Sequence, residues 1–220
     1  MKKSSKNRLT PGQQTLFPSD TLFDKIARAV CRAGTLPRKE LHEAWETARR
    51  IRRKFRGGRI VDMACGHGLL AHILLILDDS SPGAIAVDKR IPDNARHLSQ
   101  ILMAAWPRLE NRIEFISSRV EDIPLQPGDL VVSAHACGPL TDNIIHQAVA
   151  ARTRVAVLPC CHDLKTCDPG PLKSWMSPGL AIDALRALRL QDQNYKVTTA
   201  AIPREITPKN RLIMGDPRPL

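Results

Sequence analysis

Three short stretches carry residue types that could do chemistry. The segment 61–71, VDMACGHGLLA, sets an acid, Asp62, four residues ahead of Gly66 and two further ahead of Gly68. The segment 133–142, SAHACGPLTD, holds His135, Cys137 and Asp142. The segment 158–163, LPCCHD, places the adjacent thiols Cys160 and Cys161 beside His162 and Asp163.

Adjacent thiols beside an imidazole admit three roles. A structural zinc site needs four ligands, commonly in two spaced pairs. Cys167 and His162 are within reach, but neighbouring residues on an extended chain point opposite ways, so joint ligation by Cys160 and Cys161 is awkward and no metal is assigned. A covalent mechanism needs a cysteine placed to attack, and Cys161 is the catalytic candidate. Otherwise a buried cysteine behaves as a small hydrophobe. The reading adopted is that LPCCHD walls the acceptor side of a reaction pocket, with Cys137 and Cys160 facing substrate. An imidazole titrates near neutrality, so His135 and His162 are the candidate bases, with Asp142 and Asp163 as their partners. His42, His72, His97 and His146 sit in helical stretches and receive no special role.

The glycine stretch matches G-x-G-x-x-A. Gly66 permits a tight turn, Gly68 lets a ligand approach the backbone, and Ala71 lets helix and strand pack closely. A second acid, Asp88, closes the run AIAVD, where a carboxylate can hold the hydroxyls of a ribose.

These residues need a frame. β-rich runs at 59–64, 84–88, 113–117, 129–134 and 154–159 alternate with helical patterns at 68–78, 92–106, 140–151 and 179–190. Repeated βα units predict a Rossmann-like, mostly parallel sheet with helices on both faces. Residues 195–202 and 211–214 read as a C-terminal antiparallel hairpin, completing seven strands. In such sheets ligands sit beyond the carboxyl ends of the strands, where all three stretches fall. Upstream, Ser19 and Asp20 could cap a helix ending near Gly34, and Pro37 opens another whose Leu41, Trp45, Ala48, Ile51 and Phe55 pack inward. Residues 1–18 read as a flexible basic arm, and 19–220 as one domain, with N-terminal helices over 19–57 and the core over 58–220.

The chain has 220 residues and a net charge of +11. That balance points to a polyanionic partner, nucleic acid foremost. Arg49, Arg52, Arg53 and Arg56 on the second helix are its candidate phosphate contacts. No apolar segment leads the sequence, and its longest apolar run, 69–77, is too short to span a bilayer, so a cytoplasmic protein with reduced thiols is expected.

The order V-D-x-x-x-G-x-G resembles motif I of the class I S-adenosylmethionine-dependent methyltransferases. That resemblance implies S-adenosylmethionine as cofactor. Asp62, Met63, Ala64, Cys65, Gly66, His67 and Gly68 would hold its methionine part. Asp88 and Lys89 would lie at the ribose, Glu121 and Asp122 near the adenine, and Ser133 and Ala134 at the edge of the site. H-x-C-G-x-x-T-D together with C-C-H resembles the methyltransferase-domain family that includes a eukaryotic tRNA 2'-O-ribose methyltransferase. The function implied is methyl transfer to RNA, with the ribose 2'-hydroxyl preferred over a base. A methyltransferase for a small molecule or protein side chain, and a non-catalytic RNA- or partner-binding protein of this fold, are the alternatives.

Overall fold

The computed structural model describes residues 8–219. Its centre is a seven-stranded sheet of order β3-β2-β1-β4-β5-β7-β6. The strands are β1 (Ile60–Met63), β2 (Ala84–Asp88), β3 (Ile113–Ser117), β4 (Leu130–Ser133), β5 (Arg154–Val157), β6 (Tyr195–Ala201) and β7 (Arg211–Pro217). The first five run parallel, whereas β7 pairs antiparallel with both β5 and β6. The expected Rossmann-like sheet with a C-terminal hairpin is therefore present, and β7 runs on to Pro217.

Strand alternation divides the core in two. Ile60, Ala84, Leu130, Val132 and Ala156 face helices α1 (Leu22–Ala33), α2 (Arg38–Lys54), α3 (Leu69–Leu77) and α4 (Ala95–Ala105). Val61, Ile85, Val131 and Val155 face α5 (Pro139–Ala150) and α6 (Pro178–Asp192). Both faces of the central strands are thus covered, which explains why these strands read as continuous apolar runs. Tyr195 fastens the α5 end, its hydroxyl lying 2.9 Å from the Ala148 carbonyl and 3.0 Å from that of Thr153.

The crossing point of the sheet positions the chemistry. β1 sits between β2 and β4, and β5 lies beyond β4. The connections leaving β1 and β2 go to one face, and those leaving β4 and β5 to the other. The carboxyl ends of β1, β4 and β5 consequently open onto one edge, where the three chemistry-bearing stretches emerge.

Two expectations about the N-terminal region are corrected. Residues 8–18 are not a loose arm. Leu9 and Phe17 are buried, a 3-10 turn spans Pro11–Leu16, and the Leu9 N–H donates to the Leu36 carbonyl at 2.9 Å. The rest of the expected arm lies outside the described residues. Helix α1 is capped by Thr21, and Ser19 instead donates to Asp24, so the cap falls beyond the residues expected.

A further correction concerns the arginine cluster of α2. Arg52 is buried, 3.1 Å from Asp78 and 2.9 Å from the Ser81 hydroxyl, with its Nε donating to the Leu74 carbonyl. Glu46 pairs with both Arg49 and Arg50, and Asp78 also meets Arg56 at 3.5 Å. The acids that balance this helix come from its own preceding turn and from the end of α3. Arg53 alone of the four proposed phosphate contacts is exposed and has no ion pair among the described residues.

Arg52 therefore anchors α2 to α3. Removing one partner of a buried pair typically costs about 3–5 kcal/mol. Arg52→Ala should destabilise the protein by that order in denaturant unfolding, whereas Arg53→Ala should change stability by less than about 0.5 kcal/mol. Equal effects of the two would place Arg52 on the surface.

Candidate active site

The first loop leaves β1 under strain. Ala64 has φ +57°, unusual for a residue with a side chain, and Gly66 and Gly68 follow at +53° and +70°. A Cβ on Gly68 would stand 2.9 Å from Phe115, so glycine is required there by packing as well as by φ. A Cβ on Gly66 would meet nothing within 4 Å, so this glycine leaves open space above the turn. Asp88 at the end of β2 accepts the Gly66 N–H at 3.0 Å and the Arg90 N–H at 3.2 Å.

One clamp on this loop was missed. His72 in α3 lies 2.7 Å from the Gly68 carbonyl through Nδ1 and 3.0 Å from the Ser99 hydroxyl through Nε2. The carbonyl can only accept, so Nδ1 carries the proton and Nε2 accepts from Ser99. Burial lowers its pKa to about 4, which keeps it neutral. A histidine at the first turn after the glycines, followed by an apolar run, was the signal available.

Two cavities flank Ala64. One is lined by Asp62, Cys65, Gly66, His67, Ala134 and His135, together with residues of α2. The other is lined by Asp88, Lys89, Arg119, Glu121 and Leu140. The expected cofactor residues thus divide into a part beside Asp62 and a part beside Asp88, joined at Ala64. Asp122 is exposed and lines neither cavity. Met63 and Ser133 are buried within the sheet; Met63 packs in the core, and the Ser133 hydroxyl accepts the Ala136 N–H at 3.3 Å. They shape the site through the backbone. His67 reaches Asn94 at 2.9 Å.

The features fit S-adenosylmethionine. Asp62 is buried, takes the Ala71 N–H at 3.2 Å, and has no cation beside it among the described residues. A buried carboxylate facing a cavity is complementary to the amino group of a methionine moiety. The second cavity offers the Asp88 carboxylate, suited to ribose hydroxyls, and the apolar edge of Leu140 and Val120, suited to a base.

On the acceptor side the structure brings β4 and β5 loops together. The Gly138 N–H donates to the Cys161 carbonyl at 3.1 Å. Cys137, Cys160 and Cys161 present their sulfurs within 4.8 Å of one another. The Sγ atoms of Cys160 and Cys161 are 3.8 Å apart, so the expected divergence of adjacent side chains does not hold. The chain has already left β5 at Val157, and past Pro159 it no longer alternates as a strand.

The two candidate bases occupy different settings. His135 is half-buried and borders the Asp62 cavity. The His162 side chain is only 2% exposed, and its Nε2 lies 2.7 Å from Asp183. Asp183 also receives Arg211 at 2.6 Å and Arg186 at 3.4 Å. Arg186 in turn binds Asp142 at 2.6 Å and the Gly138 carbonyl at 2.9 Å. The expected partners are therefore corrected: Asp142 belongs to Arg186, Asp163 is exposed and turns back to the Lys165 N–H, and Asp183 was overlooked. Asp183 sits on a helix remote in sequence, and no local pattern marks it.

Asp62 generates a test. Burial pushes its carboxyl up to about 8. A carboxyl whose folded pKa exceeds its unfolded value of about 3.9 loses folded-state stability as pH rises through that window. Asp62→Asn should raise the melting temperature of the cofactor-free protein, and more at about pH 8 than at about pH 5. The same change should weaken S-adenosylmethionine binding by about tenfold or more in calorimetry, near 1.4 kcal/mol. An equal thermal shift at both pH values would show that Asp62 is ionised throughout.

Comparison with known proteins agrees with this geometry. No protein of curated function matches the chain. An O-methyltransferase family protein from Burkholderia thailandensis superposes with a TM-score of 0.52 at 15% identity, over 93% of this chain and 62% of its own. The S-adenosylmethionine-dependent methyltransferase SibL superposes with 0.52 at 18% identity, over 96% and 66%. The ribosomal protein L11 methylase of Lactobacillus delbrueckii subsp. bulgaricus gives 0.52 at 12% identity, over 80% and 77%. The chain thus spans less than two thirds of the length of the first two, and at such identities the likeness is one of fold. A family profile described as a methyltransferase domain matches residues 39–167, more than half of the chain and including all three chemistry-bearing stretches. With the cradle around Asp62 and Asp88 in place, the chain belongs to this methyltransferase-domain family, with S-adenosylmethionine as methyl donor.

Proposed function

We propose that this protein is an S-adenosylmethionine-dependent methyltransferase acting on RNA, with a ribose 2'-hydroxyl as acceptor. The observation that carries the substrate class is Trp175, which is 85% exposed. It lies on the segment joining β5 to α6, the continuation of the thiol loop, and Lys165 and Lys173 on the same segment are exposed. An exposed indole on a segment that also carries exposed lysines suits base stacking with phosphate contacts. Leu164 and Leu180 add exposed apolar surface nearby in the chain. The basic balance of +11 supports the same partner. The resemblance of the H-x-C-G-x-x-T-D and C-C-H stretches to the tRNA ribose methyltransferase points the same way.

The cofactor supplies an electrophilic methyl group on a sulfonium. The protein must hold the acceptor in line with it, since orientation accounts for much of the acceleration in such displacements. His135 would take the hydroxyl proton: it borders the Asp62 cavity, whereas His162 is engaged with Asp183. Asp142 and Arg186 hold the β4 loop, and His162 acts as a positioning residue for the β5 loop.

The test is transfer of labelled methyl to RNA lacking the modification, followed by nuclease digestion to separate ribose from base products. His135→Ala should lower kcat by about a hundredfold with cofactor affinity retained. Trp175→Ala should raise the KM for RNA by about tenfold or more and leave cofactor binding unchanged. Label found only in protein or metabolite fractions would refute the RNA assignment.

A further inference from the structure

Three thiols converge at the acceptor edge, and the methyl-transfer step proposed above does not call on their sulfurs. Cys137 Sγ stands 2.9 Å from Cys160 Sγ, and Cys160 Sγ 3.8 Å from Cys161 Sγ. All three sulfurs lie within 4.8 Å of one another. We propose that Cys137, Cys160 and Cys161 form a binding site for a borderline-soft divalent cation of the zinc class, held by three thiolates with a fourth position open to solvent.

Spacing supports this first. Sulfurs around one tetrahedral zinc, each about 2.3 Å from it, stand about 3.8 Å apart. The Cys160–Cys161 separation already has that value, and Cys137 needs to retreat from Cys160 by less than about 1 Å to join them. Two of the three residues, Cys137 and Cys161, are exposed, so neither a fourth ligand nor an incoming ion is blocked. Catalytic zinc sites characteristically keep one position open in this way, whereas structural sites are closed by four protein ligands.

The backbone imposes the convergence. Cys137 and Cys161 form an isolated parallel bridge between the β4 and β5 loops, and the Gly138 N–H donates to the Cys161 carbonyl. Gly138 takes φ +55°, and its carbonyl is held by the buried guanidinium of Arg186. His162, directly after the third thiol, is fixed by Asp183. Both loops are thus fastened from behind by one buried network, and the sulfurs meet on its open side. A disulfide between Cys137 and Cys160 would use two of the thiols and leave Cys161 unexplained, although its sulfur has been turned toward the pair against the normal alternation of an extended chain. Three convergent sulfurs ask for a single ion.

The location is also specific. The thiols of Cys137 and Cys160 both donate to the carbonyl of His135 at 3.5 Å, and the His135 ring borders the Asp62 cavity. An ion here would adjoin the backbone of His135, the proposed base. Binding replaces three thiol protons, which pass to solvent, so affinity should increase with pH.

The experiment uses the full chain, purified under reducing conditions, stripped with chelator and titrated with cobalt(II). One equivalent should produce intense thiolate-to-cobalt charge-transfer absorption in the near ultraviolet, and zinc should displace it. Cys137→Ser and Cys161→Ser, both at exposed positions, should each weaken cobalt binding at least about tenfold, with thermal unfolding confirming an intact fold. Cys31→Ser, buried in α1 away from the loops, should leave the titration unchanged. Absence of the band, or a band insensitive to the two loop variants, would overturn the proposal. A Cys137–Cys160 disulfide that forms in the reduced, metal-supplied protein in preference to cobalt binding would overturn it equally and assign the pair to redox chemistry. None of these readouts depends on the acceptor, so failure of the RNA assignment leaves them intact.

Discussion

The acceptor side of the site depends on one buried carboxylate, Asp183. Four elements meet through it. It sits on α6, receives His162 from the β5 loop and Arg211 from β7, and shares Arg186 with Asp142 at the start of α5. A carboxylate taken out of water is costly unless its charge and lone pairs are met. Here a guanidinium lies on each side, and an imidazole nitrogen takes a further position. Arg186 also caps the Gly138 carbonyl, so one charge network spans both loops that carry the thiols. A buried network of this kind is weak as a source of stability, but it restricts geometry, because few loop arrangements can satisfy all its members together.

The cofactor side is built by a different means. There a strained turn is held through its backbone groups: Asp88 on the Gly66 N–H, Asp62 on the Ala71 N–H, and His72 on the Gly68 carbonyl. Asp62 on that side is buried with no cation beside it among the described residues, and burial pushes its carboxyl up to about 8. The two halves therefore divide the work. The acceptor half pairs its charges internally, whereas the cofactor half retains a buried carboxyl that a cationic ligand can ionise and pair.

How much of this was legible in the sequence follows from the range of each interaction. The five parallel strands and the glycine turn were legible, because alternation and turn chemistry are local properties. The rule that ligands sit beyond the carboxyl ends of the strands puts Asp62, Asp88, Glu121 and His135 at one edge, and there they line the two cavities. Partners joined across the fold were not legible. Arg52 read as a solvent-facing cation because nothing in the sequence shows that Asp78, 26 positions downstream, folds back beneath α2. Asp183 is likewise one acid on an amphipathic helix. The order in residues 8–18 was missed because its anchors, Leu9 and Phe17, are isolated apolar residues among polar ones, below the density that a helical or strand pattern requires.

The thiol loop shows where local rules mislead. Alternation of side chains holds within a strand, and applying it to Cys160 and Cys161 extends it past the end of β5. Beyond the last ladder bond the backbone is free to turn, and here a bridge to the neighbouring loop decides its course. Cross-strand neighbours at the carboxyl edge are therefore set by sheet order, in this case β4 beside β5, more than by sequence spacing. The same order that assembles the cofactor cradle from β1 and β2 assembles a sulfur cluster from β4 and β5. Both sit at one edge because all four strands run parallel.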